Sequence, residues 1–89
     1  MQNQTTLVYI ALMNLKALYL TRLSDEQRQQ FCALAETSDA YMRVHLVHRR
    51  RIPRPALMTR LATACQQFDP TITRYALLAW FYEEPQEAA

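Results

Sequence analysis

The sequence predicts an all-α fold, and three features of its composition indicate it. None of the 89 residues is glycine, the residue that tight hairpins and phosphate-binding loops use at positive φ. Alanine, leucine, glutamine and arginine, which favour helices, are abundant. Apolar residues make up 51% of the chain, which is enough for a globular core. We therefore expect one compact domain over residues 1–89.

Apolar spacing and capping signals predict five helices, at about 5–21, 24–36, 39–49, 55–67 and 70–84. The first helix carries Leu7, Ala11, Leu15 and Leu18 at helical i, i+4 spacing. In the second, Ser24 and Gln27 form a capping-box pattern ahead of the apolar residues Phe31, Leu34 and Ala35.

Ser38 is the expected N-cap of the third helix, in which Met42 and Leu46 point inward and His45 is a partly buried core residue. At helical spacing, Ala40, Arg43, Val44 and Val47 then project outward, with Tyr41 at the edge.

Proline marks the starts of the last two helices. Pro55 suits the first position of helix four, where its missing amide proton costs nothing. Asp69-Pro70 repeats a cap-then-proline pattern and predicts that helix five begins there. Cys32 and Cys65 both fall within helices, so we expect buried, unpaired thiols and a cytoplasmic protein. The apolar N-terminus is too short and polar to span a membrane.

Positive charge is concentrated in one segment of a chain whose net charge is only +2. No acidic residue occurs between Asp39 and Asp69, and that interval holds six of the ten basic residues: Arg43, Arg49, Arg50, Arg51, Arg54 and Arg60. Such a cluster is typical of proteins that bind a polyanion, and double-stranded DNA is the partner we expect. A solvated basic loop without a ligand is the simpler alternative.

Helices two and three, joined by a short polar turn with the second helix basic, have the pattern of a helix-turn-helix. Residues 23–78 resemble the Cro/CI-type, lambda-repressor-like regulators, and most closely the short YdaS-like regulators of phages and prophages. The resemblance rests on Thr37, Ser38, Tyr41, Arg43, the arginines at 49–51, and Pro53. It implies a five-helix helix-turn-helix domain that acts as a transcriptional regulator, by default a repressor. The chain departs from the group at Glu36, where glycine is usual, and at Asp39, where an amide is usual.

This hypothesis assigns helix 39–49 to the major groove. Arg43 is the candidate for guanine, Val44 and Val47 for thymine methyl groups, and the arginines after them for phosphates. About five neutralised phosphates predict a slope near −4 to −5 for log K against log salt. The complete candidate set is Ser38, Asp39, Ala40, Tyr41, Arg43, Val44, Val47, His48, Arg49, Arg50, Arg51 and Arg54. One module of this size contacts only a few base pairs, so sequence-specific binding requires a homodimer. The candidate residues for the dimer contact are Tyr19, Leu20, Trp80 and Phe81.

Other functions have weaker support in the sequence. His45 and His48 have a spacing compatible with zinc, but no second pair of ligands accompanies them. The aromatic residues of helix five suit packing better than stacking on single strands. No catalytic constellation is present, so we expect neither an enzyme nor a cofactor nor a small-molecule ligand. The alternative function is that of a small phage-type helical protein that binds and inhibits or adapts a host protein.

Overall fold

The computed structural model describes residues 14–83, and these residues form five helices without a β-strand. Helix α1 comprises Leu15–Ala17 and continues as a π-helical turn, Leu18–Arg22. Helix α2 is Asp25–Ala35; α3 comprises Asp39–Tyr41 and continues as a second π-helical turn, Met42–Leu46. Helices α4 and α5 are Pro55–Phe68 and Arg74–Tyr82. The predicted all-α class is confirmed for this part of the chain, while the predicted start of the first helix, with Leu7 and Ala11, lies outside it.

Three helices begin at the residues that the capping patterns predicted. Ser24 accepts a hydrogen bond from the Gln27 amide, and the Gln27 side chain accepts one from the Ser24 amide, which completes the capping box of α2. Ser38 caps α3 through a 3.0 Å bond from the Tyr41 amide. Pro55 is the first residue of α4. Each signal involves residues at most three positions apart, so no tertiary contact was needed to recognise it.

The turn between α2 and α3 has the geometry of a glycine turn without containing glycine. Glu36 adopts a left-handed conformation, with φ 56° and ψ 49°. The Glu36 amide donates to the Ala33 carbonyl and the Thr37 amide donates to the Cys32 carbonyl, the bond pair of a Schellman motif. A side chain with a Cβ atom costs roughly 1–2 kcal/mol in this conformation. Glu36, where the lambda-repressor-like regulators usually have glycine, is thus the residue at which the backbone turns.

Helix α5 begins four residues later than predicted because Asp69 has another role. Asp69 is buried, and its carboxylate accepts bonds from the Thr71 amide and hydroxyl at 3.0 and 2.6 Å. Arg22 of α1 forms an ion pair with the same carboxylate at 3.2 Å. The chain consequently turns after Pro70, and Thr73 becomes the N-cap of α5.

A single core runs through all five helices, and its centre is the contact of α2 with α4. The Phe31 ring lies between the rings of Tyr19 and Phe68, at centroid distances of 5.4 and 6.4 Å. Leu34, predicted to be buried with Phe31, is instead 41% exposed. The buried apolar residues are Leu15, Leu18, Tyr19, Leu23, Phe31, Cys32, Ala35, Met42, Leu46, Val47, Met58, Leu61, Ala62, Ala64, Cys65, Ile72, Leu77 and Phe81.

The left-handed conformation of Glu36 leads to a stability prediction. Replacement Glu36→Gly should raise the free energy of unfolding by about 0.5 kcal/mol, because the relief of strain exceeds the entropy that glycine adds to the unfolded chain. Glu36→Val should lower it by more than about 1 kcal/mol, since a β-branched residue tolerates positive φ poorly. Urea denaturation measures both. A stabilising valine or a clearly destabilising glycine would contradict the turn geometry described above.

Candidate nucleic-acid interface

Helix α3 is held against the core by one side of its π-helical turn. Met42 and Leu46 are fully buried, as the apolar spacing predicted. The Val47 amide donates to the Met42 carbonyl at 2.9 Å, an i to i+5 bond that closes the wider π-helical ring. Leu18 and Leu23 repeat this arrangement at the end of α1, with the corresponding bond at 3.1 Å.

Val47 lies in the core, with 1% of its surface exposed, so its predicted outward orientation is wrong. The prediction assumed about 3.6 residues per turn, which places Val47 on the same side as Arg43. The π-helical turn rotates each residue by a smaller angle, which moves Val47 toward the buried side that Met42 and Leu46 occupy. Val47 therefore has no surface with which to contact a thymine methyl group.

Helix α3 ends at Leu46, three residues before the predicted end, and residues 47–49 form a turn. The opposite side of α3, together with His48 in this turn, is exposed and carries four predicted contact residues. Ala40, Arg43, Val44 and His48 are all exposed, and Val44 is 47% accessible although it is apolar. Ser38 is exposed at the start of the helix, where its hydroxyl caps the backbone. The outward orientation predicted for Ala40, Arg43 and Val44 is confirmed by their exposure. We call Ser38, Asp39, Ala40, Arg43, Val44 and His48 the outer face of α3.

Tyr41 and His45 form the margin of that face. Both are half-buried, and their rings lie 4.8 Å apart between centroids. Tyr41 also packs against the core. The prediction that Tyr41 lies at the edge and that His45 is partly buried is confirmed.

Asp39 links the outer face of α3 to the interior. One carboxylate oxygen accepts a hydrogen bond from the buried Tyr19 hydroxyl of α1. The other accepts from Nε of Arg43 at 2.8 Å. Bonds from Tyr19 and then from Arg43 hold the pKa of the Asp39 carboxyl below its usual range, and the bond to Asp39 raises the pKa of Arg43. Asp39 is thus a fixed negative charge at the start of α3.

Tyr19 was not predicted to take part in this site, but its buried side chain contacts both Asp39 and Arg43. Its hydroxyl also lies 3.2 Å from the Cys32 sulfur, and the guanidinium carbons of Arg28 and Arg43 each lie 5.9 Å from its ring centroid. Burial, and then the hydrogen bond to Asp39, raise the pKa of the Tyr19 hydroxyl above its ordinary value. In the sequence, Tyr19 resembles a surplus apolar residue, because its partner Asp39 lies twenty positions away.

Arg49 is a structural residue of the fold, contrary to its assignment to a phosphate. It follows α3 in a left-handed conformation, at φ 56°, and the Arg50 amide bonds to the His45 carbonyl to close a second Schellman motif. Its guanidinium donates to the Trp80 carbonyl and to the Glu83 carboxylate, both at 3.0 Å, and lies 4.9 Å from the Trp80 ring centroid. Arg49 therefore fastens the end of α3 to the end of α5.

Two further arginines bind carbonyl groups at helix ends. Arg60 donates to the Ala35 carbonyl at the end of α2, at 3.0 Å. Arg28 donates to the Tyr19 and Leu20 carbonyls at 2.8 and 3.0 Å and pairs with Asp25 at 2.7 Å. These carbonyls are the groups that a helix leaves unsatisfied at its C-terminus. Of the six arginines between Asp39 and Asp69, Arg49 and Arg60 therefore bind the ends of neighbouring helices.

Arg50, Arg51 and Arg54 remain available on the surface after these assignments. All three are exposed in the segment between α3 and α4. Within residues 14–83, their side chains make no hydrogen bond and no ion pair. No acidic residue stands between Asp39 and Asp69 to neutralise them. We call these three residues the arginine loop.

An open groove of about 540 Å³ borders the outer face where α2 meets α3. It carries charge of both signs, with Asp25 and Asp39 paired to Arg28 and Arg43. Asp25 and Glu26 also place exposed negative charge at the start of α2. A polyanion is therefore favoured at the arginine loop and disfavoured at the α2 end. The groove is lined by Asp25, Arg28, Gln29, Cys32, Ala33, Thr37, Asp39 and Arg43.

The other candidate features have structural explanations. Cys32 and Cys65 are free and buried, as predicted, and burial raises the pKa of Cys65 to about 12. Across residues 14–83, no group of three histidine, cysteine or acidic residues is arranged to hold a metal ion. None of the described helices is both long and apolar enough to cross a membrane.

Comparisons with protein-family models, with curated proteins and with solved structures found no match for this chain. The features of the molecule that bear on its function are therefore the geometry and charge of the surface formed by α3 and the arginine loop.

The two valines of α3 give a direct test of its orientation. Val47→Ala should lower the free energy of unfolding by about 1.5–3 kcal/mol, because it removes buried methyl groups and leaves a cavity. Val44→Ala, the matched control, should change it by less than about 0.5 kcal/mol, since Val44 is exposed. Urea denaturation of both variants measures the difference. Equal costs would contradict the register of the π-helical turn.

The buried hydroxyl of Tyr19 predicts a loss of stability in alkali. Because its pKa is higher in the folded state, its contribution is complete below about pH 10, the value for exposed tyrosine, and declines above it. Tyr19→Phe should cost about 1–2 kcal/mol at pH 8. The gap between the two proteins should then narrow by up to about 1.4 kcal/mol per pH unit above pH 10. Cys65 is present in both proteins, so its ionisation cancels. A gap that stays constant from pH 8 to 11 would contradict the assignment.

Proposed function

We propose that this chain is a sequence-specific double-stranded DNA-binding transcriptional regulator, of the lambda-repressor-like helix-turn-helix type, that inserts α3 into the major groove. The observation that carries the proposal is the outer face of α3, exposed above a fully buried inner face and followed directly by the arginine loop. A helix held by its inner side, with a cationic segment beside it, has the form required to enter a groove and contact the adjacent phosphates.

The three-residue turn between α2 and α3 also supports the proposal. Helix-turn-helix units join their two helices by a turn of three or four residues that often contains glycine, the residue that adopts a left-handed conformation most readily. Residues 36–38 form such a turn here, with Glu36 left-handed and Ser38 capping the second helix. Helix α2 packs on α4, so the pair is supported by the rest of the domain.

Base contacts are proposed for the middle of the outer face. Arg43 is the candidate for a bidentate contact to guanine, and Val44 for a thymine methyl group. Ala40 allows close approach because its side chain is small. Ser38 and His48 stand at the two ends of the face, where phosphates or base edges are within reach of polar side chains.

Phosphate contacts are proposed for the arginine loop. Arg50, Arg51 and Arg54 would set affinity and register and carry little sequence information. Arg49 is omitted from this group, since its guanidinium holds Trp80 and Glu83. Repression by occupying the site is the proposed mode of regulation, because it requires binding alone.

A homodimer is proposed to supply the sequence specificity that one module of this size lacks. Of the candidate contacts in the sequence, Tyr19 and Phe81 are buried within the chain and Leu20 and Trp80 are half-buried. Tyr75 and Tyr82, seven residues apart on α5, are 83% and 63% exposed and replace them as candidates. Two chains related by a two-fold axis would read half-sites about 34 Å apart.

A salt titration tests the proposal. Fluorescence anisotropy with random duplex DNA should show binding at low salt. Three phosphate contacts for each chain predict a slope near −2.7 per chain for log K against log salt, or about −5 for a dimer. The double variant Arg50→Ala/Arg51→Ala should reduce the slope by about 1.8 per chain. Light scattering of the complex should give two chains per duplex.

The matched control is Lys16→Ala/Arg74→Ala, which removes the same charge from α1 and α5. It should leave the slope nearly unchanged. Equal loss from both double variants would show that net charge, and not the arginine loop, governs binding. Absence of binding by the unaltered chain at low salt would overturn the proposal and favour the alternative partner, a host protein contacted through the exposed tyrosines of α5.

A further inference from the structure

Asp39 holds Arg43 in one orientation, and this contact bears on how the outer face of α3 reads a base. The carboxylate bonds to Nε of Arg43 at 2.8 Å through one oxygen and to the Tyr19 hydroxyl through the other. Tyr19 is fully buried in α1, so the carboxylate is anchored to the core and not only to its own helix. The Arg43 guanidinium carbon lies 5.9 Å from the Tyr19 ring centroid, which gives the side chain a second point of contact.

The hydrogen bond to Nε divides the guanidinium into an occupied and an available edge. Arginine has five N–H donors in a rigid plane, and one of them is committed to Asp39. Within residues 14–83, neither terminal nitrogen of Arg43 has a hydrogen-bond acceptor, and 46% of the side chain is exposed. The available donors are therefore those at the tip of the side chain, in a geometry that suits two parallel acceptors.

We propose that Asp39 is a positioning residue that presents the tip of Arg43 end-on to a guanine, and that Tyr19 holds Asp39 in place. This inference rests on the proposed DNA-binding function and adds a determinant of specificity to it. A guanidinium that is already held in one orientation loses little conformational freedom when it binds the O6 and N7 atoms of guanine. The aspartate at this position is thus explained as the partner of Arg43.

The same carboxylate places a negative charge beside the DNA, so its removal has two effects of opposite sign. Asp39→Asn removes repulsion from phosphates and should strengthen binding to random DNA about two- to threefold at low salt. The variant weakens the restraint on Arg43 at the same time, so preference for guanine at one position should fall about tenfold. A residue that only stabilised the fold would weaken binding to every sequence alike.

Selection from a randomised duplex library, followed by affinity measurements on the selected site, tests the inference. Arg43→Ala identifies the base position that Arg43 reads, since preference for guanine is lost there. Asp39→Asn should weaken preference at that same position and at no other. Tyr19→Phe, which keeps the charge of Asp39, should reduce preference there without strengthening binding to random DNA. Circular dichroism confirms that each variant is folded at the temperature of the measurement.

Asp25→Asn is the matched control, because Asp25 makes a comparable pair with Arg28 at 2.7 Å beside the same groove. It should leave the guanine preference unchanged. If Asp39→Asn retains full preference for guanine, or loses no more than Asp25→Asn, the positioning role is overturned while the DNA-binding proposal stands. If the unaltered chain binds no duplex, both are overturned.

Discussion

Burial of Met42, Leu46 and Val47 beneath α3 is the constraint on which the candidate site depends. These three side chains are at most 1% exposed, and together they fix the rotation of the helix about its axis. A rotation by one residue would bury Arg43 or Val44, and a buried, unpaired guanidinium would be costly. Because the inner side of α3 is set by packing, the outer face is set as well. The surface chemistry of this protein therefore follows from its core.

Arginine performs two different tasks in this chain, and the partners of each side chain distinguish them. Arg28, Arg49 and Arg60 donate to carbonyl groups near the C-terminal ends of other helices, where partial negative charge accumulates. The arginine loop has no such partners within residues 14–83. Within residues 14–83, the left-handed positions are occupied by Glu36 and Arg49, since the chain contains no glycine. An arginine holds each of these turns against another helix: Arg60 contacts Glu36 and the Ala35 carbonyl, and Arg49 contacts Trp80 and Glu83. Some arginines of a charged cluster are used within the fold, so fewer are available to a ligand than the sequence alone indicates.

Sequence patterns predicted those features that depend on neighbouring residues. The ends of α2 and α4, the capping roles of Ser24 and Ser38, and the burial of Met42 and Leu46 all follow from spacings of one turn or less. Val47 was missed because a π-helical turn leaves no mark on a 3.6-residue period.

The remaining errors arise from contacts between distant parts of the chain. Arg49 contacts residues 31 and 34 positions away, and Tyr19 contacts Asp39 across twenty. The start of α5 was placed too early because the Asp69 side chain binds Thr71 and Arg22, and Thr73 is the N-cap of α5. The outer face of α3 was therefore predicted mostly correctly, whereas the contacts that orient it became visible only in three dimensions.

Nuclear magnetic resonance of the ¹⁵N-labelled chain, titrated with a short duplex, tests whether α3 and the arginine loop form the DNA-binding surface. We expect the largest amide shifts in residues 38–48 and 50–54, saturating together, while the amides of the buried segment of α4 stay unchanged. We also expect these shifts to reverse on addition of salt, because binding depends on phosphate contacts. Shifts confined to α5 or to the start of α2, with α3 and the arginine loop unaffected, would contradict it.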